Sequence, residues 1–192
     1  MWIPKKKVDG DPRSRYHDSM KIDAHPLPAS LAVSATIAFI AEAHRGQKYG
    51  NMPYFFHPVE VAMEALEIVD RLLPGEDLRY LSESVALVAL LHDVLEDTDY
   101  TEADLRARYS DEVVDADVLL TLDETLDYLA NIQRIIDSRN IRAMVVKLAD
   151  NRVNRGGDKS KFNPEKAARL NARYDASIAM LTVAFNEMGY TV

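Results

Sequence analysis

The chain has 192 residues, 47% of them hydrophobic, and a formal charge of −8. This length and composition are enough for one sizeable hydrophobic core, so we expect one main domain. A protein that binds nucleic-acid polymers needs a basic footprint to displace counterions from phosphate, and the acidic total argues against that class. Cysteine is absent, which excludes disulfides and thiolate metal sites and fits a reducing, cytoplasmic setting.

The sequence predicts neither a membrane span nor an N-terminal targeting segment. No apolar run approaches the roughly 18 residues of a membrane span, and the start, MWIPKKKVDG, has no hydrophobic segment behind its lysines. We therefore expect no membrane association. Residues 1–28 contain four prolines and no periodic apolar pattern, so we interpret them as an N-terminal extension ahead of a domain at residues 29–192.

Helical periodicity begins at Ser30, a candidate N-cap for a first helix that ends near Arg45. No later segment alternates with period two, so the sequence predicts an all-α bundle of about eight to ten helices. The loop at residues 46–53 contains two glycines and a proline. Behind it, Pro58 opens the next helix, and a proline there forces the preceding residue out of the helical region. His57 is therefore expected at the mouth of a helix.

The stretch Val85–Thr98, VALVALLHDVLEDT, combines an apolar run with four ionisable side chains. Apolar residues on every face predict a helix that is buried on all sides. His92 and Asp93 interrupt that run, and burying an unpaired carboxylate costs several kcal/mol unless a cation or donors compensate it. A divalent metal would do so. The alternative is a helix that reaches solvent at Leu95 and leaves His92 as an ordinary core histidine.

A second apolar helix is predicted to start at Asn140, and ionisable side chains interrupt its apolar run as well. Asp150 and Asn154 fall one turn apart on one face, which suits a metal ligand beside a substrate-binding amide. From Arg142 to Arg173 there are nine basic residues against three acidic ones. A small polyanion could dock on this stretch, and the alternative is a solvated charged surface.

The four residues His57, His92, Asp93 and Asp150 follow the order His…His-Asp…Asp, the pattern of the HD superfamily. The segments HRGQKYGNMPYFFHPVEVA, ALLHDVLEDT and VVKLADNRVN resemble three signatures of the hydrolase domain of alarmone-metabolising, RelA/SpoT-type proteins, in particular small alarmone hydrolases. The resemblance covers roughly residues 44–154 and continues weakly through residues 169–181. It implies an HD-domain helical bundle that hydrolyses the 3′-pyrophosphate of (p)ppGpp, or of a related 3′-modified nucleotide, to give GDP or GTP.

The resemblance also implies roles for individual residues. His57, His92, Asp93 and Asp150 would bind one Mn²⁺ ion, and Glu96 and Asp97 would be catalytic residues that assist the attacking water. Both lie four residues after a ligand, hence one turn past it. The expected substrate contacts are Gln47, Lys48, Asn154, Lys166, Arg169 and Tyr174.

The first loop departs from the family pattern, which usually has an arginine-lysine pair after its glutamine. This chain has Lys48 and Tyr49 in a shortened loop, so base specificity stays open. One alternative is therefore another HD-type nucleotide phosphohydrolase, a 5′-nucleotidase or a dNTP-directed enzyme. Another is a non-enzymatic HD scaffold, which the intact set of polar residues disfavours. The expected partner is a small nucleotide, a homo-oligomer is compatible with the sequence, and we expect no synthetase domain within 192 residues.

Overall fold

The computed structural model describes residues 29–72 and 78–192, so the predicted extension at residues 1–28 lies outside the described residues. Within those ranges the chain forms nine helices and one short hairpin, which confirms the all-α prediction. The elements are α1 (Ala29–Ala43), β1 (Lys48–Tyr49), β2 (Met52–Pro53), α2 (Phe56–Leu72), α3 (Leu78–Leu91), α4 (Val94–Asp97), α5 (Glu102–Arg106), α6 (Asp111–Leu120), α7 (Tyr128–Ser138), α8 (Ile141–Gly156) and α9 (Pro164–Glu187).

The centre of the bundle is formed by α3 and α8, the two helices that the sequence predicts to be buried. They pack against each other and against α2, while α1, α6 and α9 cover them from outside. In α8, every residue from Ala143 to Asn151 is buried. Polar side chains within that stretch, such as Lys147 and Asp150, therefore face protein rather than solvent. None of the described helices is long and apolar enough to cross a membrane.

Side-chain caps set several helix starts. Asn140 accepts a hydrogen bond from Ala143 N at 3.1 Å and so starts α8 where the sequence predicts. Thr101 and Asp104 form a reciprocal capping box at α5. Such caps stabilise a helix by about 1 kcal/mol. The prediction for α1 is wrong at its start, since Ser30 lies inside a helix that begins one residue earlier.

The predicted central helix is interrupted at the residues that carry its chemistry. It ends at Leu91, and a four-residue helix, α4, begins at Val94. His92 Nδ1 lies 2.8 Å from the carbonyl oxygen of Ala89, an acceptor that the continuing helix would otherwise use. Side chains that bond nearby backbone groups compete with the helical ladder in this way. His92 and Asp93 therefore occupy a turn between two helices.

The loop at residues 46–53 contains a small antiparallel hairpin that the sequence does not predict. Lys48 pairs with Pro53, and Tyr49 pairs with Met52. Gly50 adopts a φ of 61° in the connection, a positive value of the kind that tight hairpin turns require. With only two residues in each strand, the hairpin has no period-two pattern to detect. It directs Tyr49 towards α2.

Candidate metal centre and active site

The four predicted ligands come from three separate parts of the fold and meet in one cluster. His57 lies in the first turn of α2, and its Nε2 atom is 3.3 Å from Asp150 Oδ1 and 3.8 Å from Asp93 Oδ2. His92 Nε2 is 3.1 Å from Asp93 Oδ2 and 3.8 Å from Asp150 Oδ1. Both imidazoles thus face both carboxylates.

The donor atoms of this cluster fit a divalent ion. Because His92 Nδ1 faces a backbone carbonyl, it must carry the proton, which leaves Nε2 as the coordinating nitrogen. That Nε2 atom is buried and has no hydrogen bond within the described residues. Ligand atoms of His57, His92 and Asp93 all lie within 4.8 Å of one another, and Asp150 adjoins them. Two imidazoles and two carboxylates are ordinary ligands of catalytic metal ions.

The charges in the cluster stabilise each other. Burial lowers the pKa of His92, but Asp93 and Asp150 more than offset this and raise the pKa well above its usual value. Burial likewise raises the pKa of Asp93, and His92 followed by His57 reverses that and holds it below its ordinary range. A metal ion that binds His92 must therefore displace a proton.

Outer hydrogen bonds hold both carboxylates in place. Tyr54 donates its hydroxyl to Asp93 Oδ2 at 2.6 Å. Lys147 Nζ lies 3.1 Å from Asp150 Oδ2, and Asn154 donates its amide to Asp150 Oδ1. Such contacts to a ligand fix its orientation. The predicted substrate contact Asn154 therefore also orients a predicted metal ligand.

Lys147 and Tyr54 are site residues that the sequence reasoning did not single out. Lys147 is only 9% exposed. Burial lowers its pKa, but Asp150, Tyr128 and Glu96 together raise it above the ordinary value, so the ammonium group stays charged. A lysine within an apolar helix, three residues before a predicted ligand, was the signal that could have identified it.

Glu96 and Asp97 are half-buried on α4, directly after the ligand turn. Burial raises the pKa of Glu96, and Asp93 raises it further, while Lys147 and a hydrogen bond from the Leu122 backbone partly oppose this. A carboxyl with a raised pKa is suited to proton transfer near neutral pH. The prediction that Glu96 and Asp97 are catalytic stays a prediction.

Gln47 links the hairpin loop to α4. Its Oε1 atom lies 3.0 Å from His44 Nδ1, and its Nε2 donates to the carbonyl oxygen of Asp97 at 2.8 Å. The ring of His44 packs on that of Tyr54, with 4.9 Å between centroids. Both ends of the Gln47 amide thus have partners within the protein. This geometry supports a positioning role for Gln47, in addition to its predicted contact with the substrate.

The structure does not join all predicted substrate contacts to the cluster. Lys48 and Arg169 are exposed, and Lys166 Nζ lies 4.3 Å from the ring centroid of Phe162. Among the described residues, no hydrogen bond, ion pair or ring contact connects these three side chains to the four ligands. Tyr174 has Lys159 Nζ 5.8 Å from its ring centroid. These four assignments stay predictions.

Asp117, on α6, is a buried acid that the sequence reasoning missed. It is 0% exposed, and neither carboxyl oxygen has a hydrogen bond within the described residues. Burial raises its pKa well above the ordinary value, His92 opposes this, and Asp93 and Glu96 add to it. The sequence gives no local sign of this, because Asp117 lies in a helix with ordinary acidic neighbours.

Comparison with known proteins gives relatives under two names, guanosine-3′,5′-bis(diphosphate) 3′-pyrophosphohydrolase and GTP pyrophosphokinase. No family model matches the chain. It is 32% identical over 139 residues to a guanosine-3′,5′-bis(diphosphate) 3′-pyrophosphohydrolase of Haemophilus influenzae, an alignment that covers 67% of this chain and 19% of that protein. A protein of the same name from Vibrio cholerae is 34% identical over 133 residues, with 64% and 17% covered. The chain therefore spans about a fifth of the length of these relatives.

A solved structure described as a metazoan ortholog of SpoT that hydrolyses ppGpp has the same fold. It matches with a TM-score of 0.58 and 22% identity, covering 86% of this chain and 99% of that one. At this level of identity the match shows that the two chains share a fold.

Proposed function

We propose that this chain is a metal-dependent HD-type hydrolase that removes the 3′-pyrophosphate from (p)ppGpp, or from a closely related 3′-modified nucleotide, and gives GDP or GTP. The observation that carries the proposal is the convergence of two imidazoles, His57 and His92, with two carboxylates, Asp93 and Asp150, in one buried cluster. The two sequence relatives that are named 3′-pyrophosphohydrolase support the same reaction.

These four residues would hold the metal ion, and Mn²⁺ is the ion we propose. When bound, such an ion neutralises charge on a phosphoryl oxygen and makes water more acidic. Tyr54 and Lys147 support the assignment because each holds a carboxylate of the cluster through a hydrogen bond. The chain thus contributes both the ligands and the contacts that orient them.

The reaction breaks the bond between the nucleotide's 3′ oxygen and its phosphorus, while the oxygen of water bonds to that phosphorus. Glu96 takes the proton from the attacking water, and the same proton is then available to the leaving 3′ oxygen. Its raised pKa supports this exchange, and such general acid-base groups contribute about 10²–10⁴-fold. Asp97 assists by orienting the water, and its backbone is tied to Gln47.

The substrate would lie across the basic end of the domain, with Asn154 beside the cluster. The positive excess between residues 142 and 173 gives a strongly anionic nucleotide a favourable local field on an acidic protein. Lys48, Lys166, Arg169 and Tyr174 are the proposed contacts for its far end. We propose a cytoplasmic setting, as the absence of cysteine suggests.

A panel of nucleotides incubated with Mn²⁺ and separated by anion exchange tests the function. We expect pyrophosphate and GDP or GTP from (p)ppGpp, and no turnover by Asp150→Asn, which keeps the side-chain shape but removes the ligand charge. Absence of turnover by the wild-type chain on every member of the panel would contradict the proposal.

One observation favours a second candidate, an HD-type nucleotide phosphohydrolase with a different base specificity. The Tyr49 ring packs on the His57 ring with 4.7 Å between centroids and a tilt of 32°, in the loop where the resembling family has basic residues. A tyrosine there offers a stacking surface instead of a charge. Release of orthophosphate from 5′-nucleotides or dNTPs in the same panel would identify this candidate.

A further inference from the structure

Arg173, on α9, is a half-buried cation without a counter-ion. Its guanidinium carbon lies 4.3 Å from the ring centroid of Tyr128 and 5.2 Å from that of Tyr174. Its Nε atom is buried and, within the described residues, has no hydrogen bond. Two other arginines of the same basic stretch differ, because Arg152 pairs with Glu64 and Arg155 pairs with Asp175. Among the described residues, no carboxylate lies within ion-pair distance of Arg173.

The ring of Tyr128 lies near two cations, Arg173 and Lys147. Lys147 Nζ is 5.9 Å from the same ring centroid and pairs with Asp150 at 3.1 Å. The Tyr128 hydroxyl donates to Asn151 Oδ1 at 2.5 Å, and Asn151 Nδ2 donates to Ser177 Oγ at 2.7 Å. The ring is therefore fixed to the buried side of α8. Asp150 neutralises the charge of Lys147, whereas Arg173 has no counter-ion and donates one hydrogen bond, at 3.5 Å, to the Tyr174 hydroxyl.

An unpaired, partly desolvated guanidinium is unfavourable unless something compensates it. Stacking on an aromatic face stabilises it by about 0.5–2 kcal/mol. A planar guanidinium that an aromatic ring holds in place retains N–H groups in a fixed arrangement suited to phosphate oxygens. A phosphate group would supply the missing negative charge. Tyr128 brings Arg173 to the same ring as Lys147, and Lys147 pairs with the predicted ligand Asp150.

We propose that Arg173, oriented by the ring of Tyr128, is an anion-binding residue of the active site that takes a phosphate or pyrophosphate group of the substrate. The identity of the nucleotide rests on the proposed function, but the anion site can be measured without turnover. A purely structural Arg173, which only joins α7 to α9, would affect stability and leave anion affinity unchanged.

The test is calorimetric titration of the full-length chain with inorganic pyrophosphate, with and without Mn²⁺. A charge-assisted contact contributes about 1.5–3 kcal/mol, so Arg173→Gln should weaken pyrophosphate binding roughly ten- to a hundredfold. Arg155→Gln is the matched control. It removes the same charge from the same stretch, but Asp175 already neutralises that charge, so the dissociation constant should stay within about twofold.

Two further substitutions separate orientation from stability. Tyr128→Phe keeps the stacking ring and should preserve pyrophosphate affinity within about threefold, whereas Tyr128→Leu removes the ring and should weaken binding by about three- to tenfold. Arg173→Lys keeps the positive charge, so it should bind pyrophosphate more tightly than Arg173→Gln at a similar melting temperature. If Arg173→Gln and Tyr128→Leu lower only the melting temperature, the structural reading is correct.

Wild-type affinity in Arg173→Gln would overturn the inference, and so would a wild-type chain that does not bind pyrophosphate. The proposed function fails separately. If the wild-type chain hydrolyses no nucleotide of the panel but its pyrophosphate affinity depends on Arg173, the anion site stands without the reaction. If (p)ppGpp is hydrolysed and Arg173→Gln has unchanged KM and affinity, only the anion site is wrong.

Discussion

Replacement of Glu96 by glutamine separates catalysis from metal binding. Glutamine has nearly the shape of glutamate but cannot take or give a proton. Because the cluster of His57, His92, Asp93 and Asp150 does not include Glu96, we expect Glu96→Gln to bind Mn²⁺ like the wild-type chain. Loss of a general acid-base group typically lowers the rate about 10²–10⁴-fold. That range corresponds to about 2.7–5.4 kcal/mol of activation free energy.

The role of Glu96 as a base also predicts the direction in which kcat/KM changes with pH. A base must be ionised to accept a proton, so kcat/KM should fall as the pH drops through the pKa of Glu96. Burial and the neighbouring Asp93 raise that pKa, so the acidic limb should lie above the ordinary carboxyl range. The residual kcat/KM of Glu96→Gln should not show this decrease at acidic pH.

Steady-state kinetics and elemental analysis of bound manganese check both parts. Glu102→Gln is a suitable control, since Glu102 lies on α5 in a surface ion pair with Arg106, and it should leave turnover unchanged. Loss of manganese from Glu96→Gln would make Glu96 a ligand. Turnover within about threefold of wild type would remove Glu96 from the acid-base mechanism.

Three further substitutions test the structure around the site. Tyr54→Phe removes the hydroxyl donor to Asp93, so Mn²⁺ affinity should fall about 10–100-fold in a competition titration, and an unchanged affinity would exclude this support. Thr101→Ala removes the capping box with Asp104 and should lower the free energy of unfolding in urea by about 1 kcal/mol, with any larger loss pointing to another role. Burial raises the pKa of Asp117 well above its unfolded value, so the folded chain holds a proton that the unfolded chain releases, and stability falls by up to about 1.4 kcal/mol per pH unit as the pH rises from the unfolded pKa to the folded one. Asp117→Asn removes that slope, so its gain in melting temperature over wild type should grow from pH 4 upward, and a constant difference would contradict the argument.

The sequence predicted the helical fold and the residues of the cluster because both depend on local features. Helical periodicity and capping residues such as Asn140 act over one or two turns, and α8 begins where they predict. His92 and Asp150 stand out because each is a polar residue in an apolar helix. Such an anomaly is visible without knowledge of the fold.

The residues that the sequence did not identify depend on distant contacts. Arg169 and Arg173 lie one turn apart on α9 and have similar neighbours in the sequence. Tyr128 from α7 packs on Arg173, which is half-buried, whereas Arg169 is exposed. Asp117 is a similar case, since its burial results from how α6 packs on α3. Hydrophobic periodicity predicts which face of a helix is buried. It does not predict which side chain of another element packs against that face.

The interruption of the predicted central helix connects the geometry of the predicted ligands to the position of Glu96 and Asp97, the predicted catalytic residues. The His92 side chain both ends α3, through Ala89, and presents Nε2 to the cluster. Substitution of His92 would therefore remove a predicted ligand and also the contact with Ala89 that lies at the end of α3. Glu96 has no part in either contact. Its conversion to glutamine thus changes the chemistry of one group and leaves the turn that orients the cluster intact, and for this reason it discriminates better than any ligand substitution between a catalytic and a structural role for α4.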